Sequence, residues 1–454
     1  MRLILSAALL LLSSSLLAES RVHETVLENG MKVIVKEDHR APIMVSQVWY
    51  KVGASYEPDG ITGISHALEH MMFKGTKAHK PGEFSRIIAQ NGGSENAFTG
   101  RDYTAYFQTM SSDRLEIAME LEADRMRFLT LPAEEFAKEI EVVKEERRLR
   151  TEDKPTGQVY EHFSALAYRS LPYANPVIGW MNDLEHMQVE DLSDWYRLWY
   201  APNNATLVVV GDVNPQDVFK LAEKYFGPLK REAIPKLKPL REPEQKGEAR
   251  SVVKVPANEP YLIMGYKTPA LTTAEKSWEP YALEMLVAVL DGGNSARFSR
   301  RLVRGSEVAV SAGAEYNAFT RLPGMLLIDG TPAQGRTMDE LEKALRQEIA
   351  RLRSELVTEE ELERVRTQVI ASKVFELDSV FNQAMEIGML ETVGLDWRLI
   401  DQYVTALKQI TPEQVREVAE RYLVDDNLTV TQLVPLPMDN TKPQRRIKGG
   451  RHDI

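Results

Sequence analysis

One order of elements runs through this chain twice, and the repetition limits the folds open to it. Between Leu229 and Arg250 lies a stretch rich in proline and charge, ending PKLKPLREPEQKGEAR, which reads as a linker. Before it, alternating segments at Met31–Glu37 and Met44–Val52 precede helices, an amphipathic helix at Val189–Tyr200 and a β-rich run at Ala205–Val210. After it, Ser251–Val255 and Tyr261–Tyr266 precede helices, then Pro412–Tyr422 and Leu428–Val434. At 454 residues the chain is too long for one ordinary core. The repeat is also far longer than a solenoid unit. The expected class is α+β: two homologous αβ domains, each a mainly antiparallel sheet packed by helices. Their expected bounds are 21–228 and 251–438, joined by 229–250.

Within the first half the chain reads His66-Ala67-Leu68-Glu69-His70. On a helix, positions four apart lie on one face, one turn apart. His66 and His70 can therefore aim two imidazoles at one metal ion. Glu69 borders the same face, near enough to hold a water at the metal without being a ligand. H-x-x-E-H is the inverzincin motif, and two His with one carboxylate and an open position make a catalytic zinc arrangement. The bland alternative is an exposed helix face. The third ligand must come from elsewhere, and the best candidate region is Phe136–Arg148, rich in helix formers and free of Gly and Pro. There Glu139 and Glu146 are two turns apart and share a face, whereas Glu145 lies about 100° round from Glu146. Taken alone, this stretch reads as a charged, solvated helix with internal ion pairs.

The sequence resembles the M16 metallopeptidases, which include pitrilysin, insulin-degrading enzyme and the mitochondrial processing peptidase, and among them the bacterial M16B type. Val48–Thr76 (VWYKVGASYEPDGITGISHALEHMMFKGT) is similar throughout to that family's first motif block. Gly92-Gly93-Ser94-Glu95-Asn96-Ala97-Phe98-Thr99 resembles its G-G-x-x-N-A-x-T segment. Trp199–Asn204 and Val208–Val213 resemble the block that closes its first domain. The resemblance covers nearly the whole mature chain. It implies two αβ domains facing each other like a clamshell, and a zinc-dependent endopeptidase acting on peptides or unfolded polypeptide segments.

The same resemblance assigns roles. The third ligand falls on Glu146, within V-x-x-E, so His66, His70 and Glu146 would hold one Zn²⁺ per chain. That donor set also accepts Co²⁺ or Mn²⁺. Glu69 would be the general base that takes a proton from the attacking water. Glu139 would hydrogen-bond a ligand imidazole. Asn96, Ala97 and Phe98 would lie on a strand edge that binds an extended peptide through its main chain. Many members carry an Arg and a Tyr in the second domain near the substrate. Arg304 matches the Arg, but Val310 stands where the Tyr is expected. This motivates a heterodimer with a zinc-less homologue that supplies an Arg/Tyr pair, or else a homodimer. Tyr281-Ala282-Leu283-Glu284-Met285 reads as a degenerate echo of the zinc motif, or as coincidence. The rival reading is a non-catalytic, peptide-binding or scaffold subunit. Asp38, Asp102 and Asp183 need no more than turn or cap roles.

Residues 1–18 carry one basic residue, Arg2, then an apolar run, with small residues at Ala18 and Ser20. That is the pattern of a secretory signal peptide, too short for a comfortable transmembrane span. An uncleaved anchor is the alternative. The chain has no cysteine, which excludes disulfides, thiolate ligands and a lipoprotein cysteine. The expected compartment is the periplasm of a Gram-negative bacterium. A net charge of −11 argues against nucleic acid as a partner. The basic tail, 439–454, reads as disordered rather than as a membrane anchor.

Overall fold

The alternating apolar segments become two mixed sheets of matching topology. The computed structural model describes residues 22–438; the expected signal peptide and basic tail lie outside the described residues. The first sheet contains β1 (Val22–Val26), β2 (Lys32–Glu37), β3 (Ile43–Tyr50), β4 (Ser94–Thr99), β5 (Thr104–Ser111) and β6 (Ala205–Gly211), in the order β1-β2-β6-β3-β5-β4. The second contains β7 (Ala249–Pro256), β8 (Tyr261–Thr268), β9 (Ala309–Tyr316), β10 (Gly324–Pro332) and β11 (Leu428–Leu436), in the order β7-β11-β8-β10-β9. With β1 set aside, the two orders superpose strand for strand. In each half the last strand inserts beside the first, making the one parallel pair, β2 with β6 and β7 with β11. Every other described pairing is antiparallel. The expected α+β duplication is therefore present at the level of topology.

Sheets buried on both faces lose the apolar-polar alternation. All of β6, ATLVVVG, is buried. One face of the first sheet packs Val33, Val48 and Leu207 against Leu68 and Met71 of its own half. The other face packs Ile34, Val45, Trp49 and Val208 against Ala384 and Ile387 of the Val380–Val393 helix, which belongs to the second half. The exchange is reciprocal. The Pro155–Ala167 helix of the first half lays Val159, Phe163 and Ala167 on Val253, Ile263 and Leu433 of the second sheet. Glycines mark both crossings. A Cβ at Gly388 would stand 2.1 Å from the Trp49 indole, and one at Gly265 would stand 2.4 Å from the Phe163 ring. Neither side chain has anywhere to move at such distances.

Polar contacts reinforce the join. Asp102 accepts hydrogen bonds from Ser55 Oγ at 2.7 Å, from the Tyr173 hydroxyl and from the Arg321 main-chain N–H at 3.0 Å. Asp38 accepts from Arg40 and from Gln383 Nε2 at 3.0 Å. The turn role read for these aspartates is thus incomplete, because each also binds the opposite half. Nor does the 229–250 stretch run free. Glu232 pairs with Arg127, and Glu242 accepts the N–H groups of Arg169, Ser170 and Leu171.

The echo of the zinc motif lies on the Glu279–Asp291 helix, which follows β8 as the Ile64–Met71 helix follows β3. Glu284 is half-buried there and accepts a hydrogen bond from the Tyr403 hydroxyl. Burial pushes its carboxyl up.

The interlock yields an expected outcome. Exchanging Gly388 for Ala improves helix propensity by about 1 kcal/mol. Overpacking against Trp49 costs about 1–3 kcal/mol. Gly388→Ala is therefore expected to melt below the wild type in a thermal unfolding scan. A raised melting temperature would mean that this crossing is not tightly packed.

Candidate metal and active site

The Ile64–Met71 helix is buried along its whole length, His66, Glu69 and His70 included. That disposes of the exposed-helix alternative. Its first N–H groups would be orphaned in an apolar setting. Gly63, at the N-cap, has no side chain to serve them. Glu57 does so instead, accepting the Gly63 N–H at 2.7 Å and the Ser65 N–H at 2.8 Å. Asp183 accepts the N–H and hydroxyl of Thr62, just ahead of the N-cap and 121 residues away in sequence, a role that reaches beyond the turn or cap read for it. A carboxylate at a helix N-terminus is favourably placed. Burial nevertheless pushes the Glu57 carboxyl up to about 7, against its two main-chain hydrogen bonds.

The Ala133–Arg147 helix packs alongside and supplies the acidic face. Glu146 Oε2 lies 3.4 Å from His70 Nε2 and 3.7 Å from His66 Nε2. One donor atom from each of His66, His70 and Glu146 falls within 4.8 Å of the others. Ligands at about 2.0–2.1 Å from a tetrahedral zinc stand about 3.3 Å apart, so the observed spacing fits an ion among the three. Glu145 is turned away and pairs with Arg148 at 3.0 Å. Glu139 stands behind His70: its Oε2 is 3.2 Å from His70 Nδ1 and its Oε1 is 2.6 Å from Lys74 Nζ. With Nδ1–H donated to Glu139, His70 Nε2 carries the lone pair that a metal needs.

The electrostatics favour positive charge at this point. Burial opposes charge on His70, yet Glu139 and Glu146 prevail and raise its pKa to about 9. Burial likewise opposes ionised Glu146, but His70, His66 and Arg150 hold it down at about 2. Glu139 is also lowered, through hydrogen bonds from His70 and Lys74 that outweigh burial. Glu69 differs. Burial pushes it up to about 7, although the Thr99 hydroxyl donates a hydrogen bond to its Oε2.

His66 and Glu69 open into a cavity of about 720 Å³. Its walls include His66, Glu69, Ala97, Phe98, Arg101 and, from the second half, Tyr261. Ala97 and Phe98 lie on β4, the outermost strand of its sheet. Phe98 serves both as wall and as core, since its ring meets Trp49 edge-on at 5.3 Å. Asn96 is on the same strand but not on the cavity wall, and its Oδ1 lies 3.0 Å from the Ala97 N–H. Arg304 is not brought to this cavity. It is exposed, and its guanidinium hydrogen-bonds the main-chain carbonyls of Ser299 and Asn294. Val310 is also exposed. Sequence reasoning missed Glu57, Thr99, Lys74, Arg101 and Tyr261. Two had a readable signal: Thr99 is two residues past Ala97 on one strand, and Lys74 is four past His70.

Comparison with known proteins now decides the family. The profile described as insulinase (peptidase family M16) matches residues 32–180, and that described as peptidase M16 inactive domain matches residues 186–369. The zinc protease PqqE of Helicobacter pylori is 33% identical to the chain, over 95% of this chain and 97% of that one. This chain belongs to the M16 peptidase family. The crystal structure of a protease from Helicobacter pylori shares this M16 fold with a TM-score of 0.86 and 31% identity, over 92% of this chain and 100% of that one. The periplasmic protease PqqL of Escherichia coli shares the fold with a TM-score of 0.78 at 19% identity, over 93% of this chain but 49% of that one. The first M16 profile contains His66, Glu69, His70, Glu139 and Glu146. The inactive-domain profile contains the Tyr281–Met285 echo.

Replacing the carboxylate behind a ligand imidazole commonly weakens metal binding about 10–100-fold. Glu139→Gln is expected to lower zinc affinity by that factor, read by chelator competition. Unchanged affinity would show that Glu139 does not set the orientation of His70.

Proposed function

We propose that this M16 chain is a zinc-dependent endopeptidase that cuts peptides or unfolded polypeptide segments. The observation that carries the reading is the approach of Glu146 Oε2 to 3.4 and 3.7 Å from two imidazole Nε2 atoms, beside a buried Glu69. His66, His70 and Glu146 would hold the ion. When bound, zinc supplies Lewis acidity, which acidifies water and polarises a carbonyl. Glu69 accepts the proton of the attacking water and returns it to the leaving amine. A carboxyl near pH 7 suits both tasks. Thr99 fixes the Glu69 carboxylate through its Oε2. Glu139 holds the His70 tautomer. The outer edge of β4 binds the substrate main chain, so recognition depends little on sequence. Ala97 and Phe98 form the wall beside it, and Asn96 helps to shape that strand.

In this reading residues 21–228 form the catalytic zinc domain, 251–438 form a non-catalytic domain, and 229–250 join them. The signal-peptide pattern at 1–18 supports export to the periplasm. Among the described residues no helix is long and apolar enough to cross a membrane. Two features support a paired assembly, with a zinc-less M16 homologue or with a second copy. Arg304 and Val310 are not among the residues that line the cavity, so this chain's counterparts of the Arg/Tyr pair do not serve it, which leaves room for a pair from another chain. The fold also corresponds to about half of the longer PqqL chain.

Loss of a general base typically costs about 10²–10⁴-fold in rate. Glu69→Gln is expected to retain stoichiometric zinc while losing at least that factor in cleavage of a quenched peptide library. Zinc without turnover in the wild type, with or without a co-encoded homologue, would instead mark a peptide-binding or scaffold subunit. The paired assembly is tested with the same assay. Full activity of the purified chain as a monomer, unchanged by any homologue, would remove it.

A further inference from the structure

The cavity beside Glu69 carries an arginine that catalysis does not use. Arg101 follows β4 by two residues and stands on the same wall as Ala97, Phe98 and Thr99. Its side chain is held by aromatic rings. The guanidinium lies 5.3 Å from the Tyr173 ring and 6.0 Å from the Tyr160 ring, and Nη2 donates to the Tyr160 hydroxyl at 3.3 Å. Stacking of this kind fixes a guanidinium plane without satisfying its charge.

The nearby carboxylates are engaged elsewhere. Asp102, the next residue, is occupied by Ser55, Tyr173 and Arg321. Both oxygens of Glu161 accept from Arg147, at 2.8 and 2.9 Å. Among the described residues Arg101 forms no ion pair with a carboxylate. Lys154 lines the same cavity and is exposed. A smaller cavity of about 200 Å³ also borders Arg101 and is lined by Asp102 and Glu315, whereas the carboxylates on the larger one, Glu69 and Glu161, are bound by Thr99 and Arg147. The larger cavity thus offers three cationic side chains, of which Arg150 is paired with Glu146, leaving the pre-oriented Arg101 and the exposed Lys154 for a guest.

We propose that Arg101, with Lys154, is a specificity-determining residue that selects peptides bearing a carboxylate close to the cleaved bond. The inference rests on the peptidase reading. Arg101 sits in the turn that joins β4 to β5, two residues past Thr99, which holds Glu69, and so stands at the end of the β4 edge. A peptide laid along the β4 edge would place an Asp or Glu side chain, or its own C-terminal carboxylate, against the guanidinium. The charge-assisted hydrogen bond would then favour acid over amide.

The test compares matched quenched peptides in which each position within two residues of the cleaved bond carries Asp or Glu against Asn or Gln. A charged hydrogen bond corresponds to about a tenfold or larger preference. The wild type is expected to show that ratio in kcat/KM at one or two positions, and the ratio should shrink with added salt. Arg101→Gln should bring the ratio close to one, Arg101→Lys should restore part of it, and Lys154→Gln should reduce it by a smaller factor. A wild-type ratio near one, or a ratio unchanged in Arg101→Gln, overturns the proposal. If the wild type cuts none of the peptides, the peptidase reading fails separately. Binding of the same peptides, read by fluorescence anisotropy, then decides the matter. Tighter binding of the acidic member, abolished in Arg101→Gln, supports the selection. Equal binding, or none, contradicts it.

Discussion

Three carboxylates and two imidazoles, buried or half-buried, share one pocket, and positive charge among them holds it together. Glu69, Glu139 and Glu146 converge on His66 and His70 where little water reaches. An unpaired carboxylate there would cost several kcal/mol, roughly, or would take up a proton. Each acid meets this in its own way. Glu139 is neutralised by Lys74 and by the His70 N–H; Glu146 has Arg150 on one oxygen and the imidazoles on the other. Glu69 has a hydroxyl rather than a cation, and its carboxyl rises towards neutrality. The pocket therefore separates its acids by environment, two held ionised and one poised near pH 7.

That arrangement demands a firm frame, because one helix carries both imidazoles and a second carries both supporting acids. The frame is the doubly covered first sheet, and the cover on its outer face comes from the other half of the chain. Helices exchanged in both directions, with glycine at each crossing, join the halves through packing as well as through the backbone. The second half repeats the topology of the first but not its chemistry. Where the first half aims two imidazoles at an acid, the Glu279–Asp291 helix offers Tyr281, Glu284 and Met285, and Tyr403 donates a hydrogen bond to one oxygen of the remaining carboxylate. Its contribution to the cavity is Tyr261, not Arg304.

Much of this was legible in the sequence. The repeat of strand and helix signals on either side of 229–250 anticipates two equivalent sheets, because alternation and amphipathic periodicity are local properties. His66, Glu69 and His70 are legible for the same reason, since helical spacing alone puts them on one face. Glu146 is not. Helical spacing groups it with Glu139 and sets Glu145 apart, but nothing local says which of the two would be the ligand, and the family resemblance was needed to choose it. What stayed hidden is whatever depends on distant segments meeting. Asp38 and Asp102 read as turn residues, yet each also binds the opposite half. Gly388 reads as an unwelcome residue in a helix until Trp49 is seen against it. Glu57 reads as a loop acid, although it caps the Ile64–Met71 helix from seven residues before its first turn. Arg304 was placed near substrate by resemblance, and the fold leaves it exposed and off the cavity wall.

The most direct test of the account is the X-ray absorption spectrum, at the zinc edge, of the protein purified without added metal. The expected spectrum shows one zinc per chain at about 2.0–2.1 Å from two imidazole nitrogens and a carboxylate oxygen, lost in His66→Ala and in Glu146→Ala alike. Zinc with a different ligand set, or zinc retained when both residues are replaced, would contradict the assignment of His66, His70 and Glu146 as the metal centre.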